Sequence, residues 1–242
     1  MNSERFAPLS QVGGLRLLPA KELITTGPVD HADWNYKPVL GWIERRRFKL
    51  ALSMLPAPTS GRLLELGYGS GVFLPELATR CTALYGIDVH PHADEVMRRL
   101  RSYGIEATLV QGTAEAMPYE DHVFDTIVTI SAMEFIPDIE RAVRELHRVL
   151  APTGVLIVVT PNSSPITDFG LKVMTGESAR NDYGDRRAAV IPALKRWFTV
   201  DAERTSPPMA GRLVSLHRVL RLLPRRRAAV SDKGEQLVGA TG

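Results

Sequence analysis

The 242-residue chain is poor in cysteine, in long apolar runs and in charge of one sign. Its single cysteine, Cys81, forms no internal disulfide and supports no cysteine-built metal cluster, so a reducing, cytoplasmic setting is expected. No uninterrupted apolar run approaches the roughly 18 residues of a membrane span; Val155–Val159 and Ala188–Ile191 are typical of the longest. Residues 1–20 contain Glu4, Gly13 and Gly14 and no continuous apolar stretch, which argues against a secretory signal. The net charge is only +3, yet it is uneven. Between Glu203 and Arg227 seven arginines face one acid, a local +6, so the remainder carries about −3. Aromatic residues make up 7%, and no basic stripe interleaved with aromatics crosses the near-neutral body, which argues against nucleic acid. The 44% apolar share suits one large globular domain, or one domain with extensions.

Residues 1–37 show no firm period and read as an irregular arm; with the amphipathic helix of Pro38–Leu55 they make an N-terminal unit, 1–55, that forms part of a cap. Pro56 to Gly61 is a loop. From there apolar runs and helical spacings alternate. Strands are expected at Arg62–Leu66, Thr82–Ile87, Thr108–Val110, Phe124–Ile130 and Val155–Val159, with helices at Val72–Arg80, His90–Tyr103 and Asp138–Leu150. Strands that are apolar throughout are buried on both faces, as in a parallel sheet. The fold expected for 56–205 is therefore α/β: a doubly wound, mostly parallel, Rossmann-like sheet with helices on both faces. Residues 162–192 break the alternation and are expected to form a lid-like insertion; Trp197–Thr205 can return as a strand. For 206–242 a basic amphipathic helix and a disordered tail are expected. On a helical wheel Leu213, Leu216, Val219, Leu220 and Leu223 share one arc of Gly211–Arg227, opposite His217, Arg218 and Arg221, though Leu222 and Val214 blur the boundary. That pattern permits either packing on the domain or peripheral contact with an anionic membrane through residues 211–227.

The segment Leu63 to Gly71 follows an expected strand and opens an expected helix. Its glycines, Gly67, Gly69 and Gly71, let the backbone turn sharply and approach a ligand. Asp88 ends the next strand, 17 residues after Gly71. A carboxylate there accepts hydrogen bonds from both hydroxyls of a ribose. The dinucleotide pattern G-x-G-x-x-G is missing, because the third glycine comes one place early. Glu65, two residues before the first glycine, would repel a pyrophosphate and suits a cationic amine. Ribose at one end and ammonium at the other describe S-adenosylmethionine.

These residues resemble the class I S-adenosylmethionine-dependent methyltransferases of small-molecule type. The resemblance runs from about Gly61 to Asn162, and includes Gln111 to Tyr119, Phe124 to Val128 and Glu145 to Leu156. It implies that S-adenosylmethionine is the cofactor and that a small molecule, such as a lipid, quinone or lipid-linked sugar, accepts a methyl group on O, N or C. It further implies Glu65 for the methionine amino group and the Gly67–Gly71 loop, Tyr68 included, beneath the ligand. Asp88, beside Val89, would hold the ribose. Thr113 and Ala114 would face adenine, and Ser131 the methionine end. Two positions depart from the family: Thr113 stands where Asp is common, and Tyr68 is bulkier than usual.

Other residues invite competing readings. His90 and His92 at i, i+2 share no helix face, so surface or capping roles are favoured over a metal pair, and no metal is expected. His147 reads as solvated and Cys81 as a packed thiol. Glu134 follows the fourth strand of the alternating unit, where substrates bind, or simply caps a helix. Trp34 and Tyr36 are lid candidates or arm packing. Tyr36, Glu134, Asp182 and Tyr183 are the substrate-side candidates for a general base. Two alternatives remain open: a non-catalytic domain that binds S-adenosylmethionine or a partner, and a nicotinamide-dependent oxidoreductase.

Overall fold

The computed structural model describes residues 6–27, 30–57, 60–161, 186–206 and 217–225. Its centre is a seven-stranded sheet in the order β5-β4-β3-β6-β7-β9-β8. Here β3 is Ser60–Leu66, β4 Cys81–Asp88, β5 Thr108–Gln111, β6 Phe124–Ile130, β7 Leu150–Pro161, β8 Phe198–Ser206 and β9 His217–Pro224. Strands β3 to β7 are parallel; β9 runs antiparallel between β7 and β8. The order reverses between β3 and β6, which opens a crevice beyond their carboxyl ends.

Both sheet faces are dry, which is why the strands read as apolar runs. Leu63, Val128, Ile157, Val159 and Val219 pack under Phe48 and Ala51 of α1 (Pro38–Leu52) and Val96 and Leu100 of α3 (Ala93–Arg101). On the other face Leu64, Ile127, Leu156, Val158, Leu220 and Leu222 meet α4 (Ile139–Val149) and α5 (Arg186–Trp197). Asp138 caps α4, its carboxylate accepting from the Arg141 N–H at 2.9 Å.

Three expectations need correction. Residues 217–224 are an interior strand, not an amphipathic helix. Val219 and Leu223 face one core, Leu220 and Leu222 the other, and the two-residue alternation of a strand explains why Leu222 blurred the helical arc. The arginines are spent on the sheet: Arg218 pairs with Glu203 at 2.6 Å and Arg221 with Asp201 at 2.8 Å. The remainder of 211–227 lies outside the described residues, apart from Arg225. The arm is less irregular than expected. It forms a hairpin of β1 (Ser10–Val12) and β2 (Leu15–Leu17), then a 3-10 turn at Ala32–Tyr36, and buries Leu15, Leu17 and Leu18. The insertion splits: 162–185 lie outside the described residues, whereas 186–192 begin α5, which packs on α4 as part of the body.

Candidate cofactor and acceptor site

The glycine loop leaves β3 at Leu66 and turns through three positive φ angles: +78° at Gly67, +52° at Gly69 and +76° at Gly71. A Cβ on Gly67 would stand 2.5 Å from the Ala132 Cβ, and one on Gly71 2.7 Å from Val96. Gly69 differs, since its nearest neighbour would be Asp30 at 3.7 Å. Gly67 and Gly71 thus permit close packing, while Gly69 leaves open space above the loop. The helix expected behind the loop is shorter than the pattern suggested. The α-helix α2 covers only Leu74–Leu77 and tightens into a 3-10 turn at Ala78–Arg80. Backbone turns, not a helix dipole, therefore shape the loop.

Asp88 ends β4 and faces the loop. Its Oδ2 accepts from the Gly69 N–H at 2.8 Å and its Oδ1 from its own neighbour Val89 N–H at 2.7 Å. A carboxylate has about four acceptor positions, so two remain for a ligand. Val89 is exposed beside it. Thr113 is exposed past the end of β5, Ala114 is buried, and Gly112 N–H bonds the Asp88 carbonyl at 2.8 Å.

Glu65 is 3% exposed on β3, in register with Gly86 and Val128, and its Oε2 has no hydrogen-bond partner. Burial, with the Asp88 charge added, pushes its carboxyl well above the usual range, against the pull of Arg47. Ser131 follows β6 with φ +53°, unusual for a side-chain-bearing residue, and accepts from Arg47 Nη1 at 3.2 Å.

Tyr68 turns inward. Its ring is 3% exposed, meets His90 edge-on at 4.9 Å, and occupies the space that a side chain at Gly86 would fill. His90 corrects the surface reading. It is buried, its Nε2 lies 2.9 Å from the Gly69 carbonyl, and its Nδ1 accepts from the His92 N–H at 3.1 Å. Nε2 thus ties the turn after β4 to the glycine loop, while Nδ1 braces that turn itself. His147 is not solvated either, since its ring packs on Trp197 and Phe198. Cys81 is partly buried, and burial pushes its thiol up to about 11.

Of the substrate-side candidates, Glu134 is fully buried in the 3-10 turn Met133–Phe135 directly after β6. Neither carboxyl oxygen has a hydrogen-bond partner. Burial pushes it up to about 7, opposed by its own nearby N–H and by Arg187 and Arg47. The Tyr36 hydroxyl donates to the Leu18 carbonyl, and burial pushes it up to about 12, so it packs the arm. Trp34 stacks on His31 at 4.3 Å in the same arm. Asp182 and Tyr183 lie outside the described residues. The sequence reading passed over Gly86 and Arg47; the signal for Gly86 was a glycine inside a strand beside a bulky loop residue.

The chain is similar to known proteins in sequence and in fold. A model of the methyltransferase domain matches residues 64–158. A demethylmenaquinone methyltransferase of Roseiflexus castenholzii is 30% identical over 203 residues, covering 80% of this chain and 78% of that protein. Another, from Thermus thermophilus, is 33% identical over 135 residues, or 54% of this chain, and the match spans only 59% of that relative's length. Among solved structures, the N-methyltransferase NodS of Bradyrhizobium japonicum with S-adenosyl-l-homocysteine superposes with a TM-score of 0.58 at 19% identity, covering 82% of this chain and 94% of that one. The strand order, the three-glycine loop and these matches agree, and the chain belongs to the class I S-adenosylmethionine-dependent methyltransferases.

Proposed function

We propose that the chain moves a methyl group from S-adenosylmethionine to a small molecule, with the cofactor in the crevice where the strand order reverses. The observation that carries this reading is Glu65: a buried carboxyl with an unpartnered oxygen near the end of β3, two residues before the glycine loop. Such a group costs stability unless a ligand meets it. An ammonium would satisfy Oε2, and the free acceptor positions of Asp88 would take the ribose hydroxyls. Gly67, Gly69 and Gly71 give the ligand room, Thr113 and Ala114 flank the adenine, and Ser131 stands by the methionine end. Tyr68 and Val89 shape the floor and rim. The early third glycine, and Glu65 where a pyrophosphate would lie, disfavour the nicotinamide alternative.

When bound, the cofactor supplies an electrophilic methyl on a sulfonium, which is already a good leaving group. The chain's task is to align the acceptor and to exclude water. Of the expected acceptors, lipid, quinone or lipid-linked sugar, the quinone draws support from the relatives, two of which are named for demethylmenaquinone. A quinone or lipid acceptor therefore stays the favoured class. No helix among the described residues is long and apolar enough to cross a membrane. A reducing, cytoplasmic location suits the packed Cys81 thiol. Membrane contact through 211–227 loses its motive with the helix.

The test is Asp88→Ala, read by calorimetry with S-adenosylhomocysteine. Hydrogen bonds to a charged acceptor contribute about 1.5–3 kcal/mol, so affinity should fall about tenfold to a hundredfold. Unchanged affinity would remove Asp88 from the site.

A further inference from the structure

Helix α1 packs one side on the sheet, and its solvent side joins two unlike features. Val39 and Trp42 are large apolar side chains left 67% and 56% exposed. Arg46 and Lys49 continue the same face at helical spacing, and Arg45 flanks it. The Arg46 guanidinium lies over the Trp42 ring, 5.3 Å from its centre. Trp42, Arg45, Arg46 and Lys49 line a cleft that Gly13, at the tip of the β1–β2 hairpin, completes. A Cβ on Gly13 would stand 2.7 Å from the Arg45 Nε, so a glycine lets the hairpin tip come this close.

The cations of this face have no acid to answer them. Arg45 donates to the Asn35 carbonyl and Arg46 Nε to the Ser206 hydroxyl at 2.6 Å, both neutral acceptors. No acid pairs with Lys49 among the described residues. The acids nearby are committed elsewhere, Glu44 to Arg47 at 2.5 Å and Asp33 to Lys37 at 2.8 Å. Three positive charges thus surround one exposed indole. The sheet fixes where this face lies. Ser206 pairs with His217, and His217 with Pro161, the last residue of β7. The bond from Arg46 to Ser206 therefore holds this part of α1 at the carboxyl edge, and Arg47 beside it donates to Ser131 at the crevice at 3.2 Å.

We infer that this face docks on an anionic phospholipid bilayer. Trp42 and Val39 enter the headgroup layer, and Arg45, Arg46 and Lys49 meet lipid phosphates. An indole, apolar in body and polar at its N–H, suits the boundary between hydrocarbon and water, and basic residues add attraction to anionic lipid. A second copy of this chain is opposed by the same charges, because two-fold packing on this face would set the three cations against their own copies. Docked in this way, the chain holds its crevice beside the lipid surface. Only the route of the acceptor rests on the methyltransferase reading above: a quinone or lipid enters from the bilayer without crossing water.

The test is sedimentation of the full chain with vesicles of phosphatidylglycerol and phosphatidylcholine in equal parts, against phosphatidylcholine alone. The chain should partition at least about tenfold more strongly to the anionic vesicles, and less so at high salt. Each basic residue at such a surface contributes about fivefold, so Lys49→Glu, which removes one charge and adds its opposite, should weaken partitioning about 25-fold. Trp42→Ser should weaken it by about tenfold or more. Both variants should keep S-adenosylhomocysteine affinity within about threefold. Equal binding to neutral and anionic vesicles, or variants that partition like the unaltered chain, would overturn the docking face. Loss of S-adenosylhomocysteine affinity in either variant would make the face part of the fold instead. A dimer in vesicle-free buffer that Trp42→Ser dissolves would give the face to a second copy. Failure of the unaltered chain to bind S-adenosylhomocysteine would overturn the methyltransferase reading alone.

Discussion

Replacing Glu134 by glutamine should make the protein more stable, and the gain should depend on pH. In the unfolded chain this carboxyl titrates near 4.5; in the fold, burial holds it up to about 7. The folded state therefore binds the proton more tightly. Its contribution is fully present below about pH 4.5 and is lost as pH rises through 7. The difference of some two and a half units corresponds to about 3 kcal/mol. Glutamine keeps the shape and never ionises, so the variant escapes this loss. Urea unfolding of both proteins near pH 4 and near pH 8 reads the effect directly. The stability gap should widen by about 3 kcal/mol at the higher pH, a midpoint shift of roughly 1 M at ordinary urea slopes. An equal gap at both pH values would mean that Glu134 ionises in the fold without penalty, and the raised carboxyl would have to be abandoned. A residue that costs stability where it stands is a common mark of a functional site.

Two further outcomes concern the scaffold. Gly67→Ala should cost well over 1 kcal/mol, because positive φ and the 2.5 Å approach to Ala132 act together, whereas Gly69→Ala carries the conformational cost alone; thermal melts of the pair compare them. Leu220→Ala, on a fully buried strand position, should cost about 2–5 kcal/mol in chemical denaturation, where a surface anchor would cost almost nothing.

The parallel half of the sheet was legible because its strands, buried on both faces, spell continuous apolar runs. Phe124–Ile130 is observed over the residues expected, and α4 differs from its expected span by one residue at each end. The Glu65, Gly67–Gly71 and Asp88 cluster was legible for a related reason: strand, loop and following strand lie close in sequence. What failed was the antiparallel edge. A run such as Val219-Leu220-Arg221-Leu222-Leu223 satisfies a helical arc and a two-faced strand almost equally, and only its partners β7 and β8 decide. The acceptor side was legible only in part. Glu134 was expected there from its place after the fourth strand, whereas Arg47, which reaches Ser131 from α1, carries no motif and lies 84 residues away in sequence.

Calorimetric titration of the full chain with S-adenosylhomocysteine, in two buffers of different ionisation enthalpy, addresses the cofactor assignment most directly. Burial raises the Glu65 carboxyl above the usual range, and an arriving ammonium favours its charged form, so binding should lower that pKa. Binding should therefore release protons, and affinity should weaken as the pH falls. Heat from NAD but none from S-adenosylhomocysteine, or S-adenosylhomocysteine binding with no proton released, would contradict it.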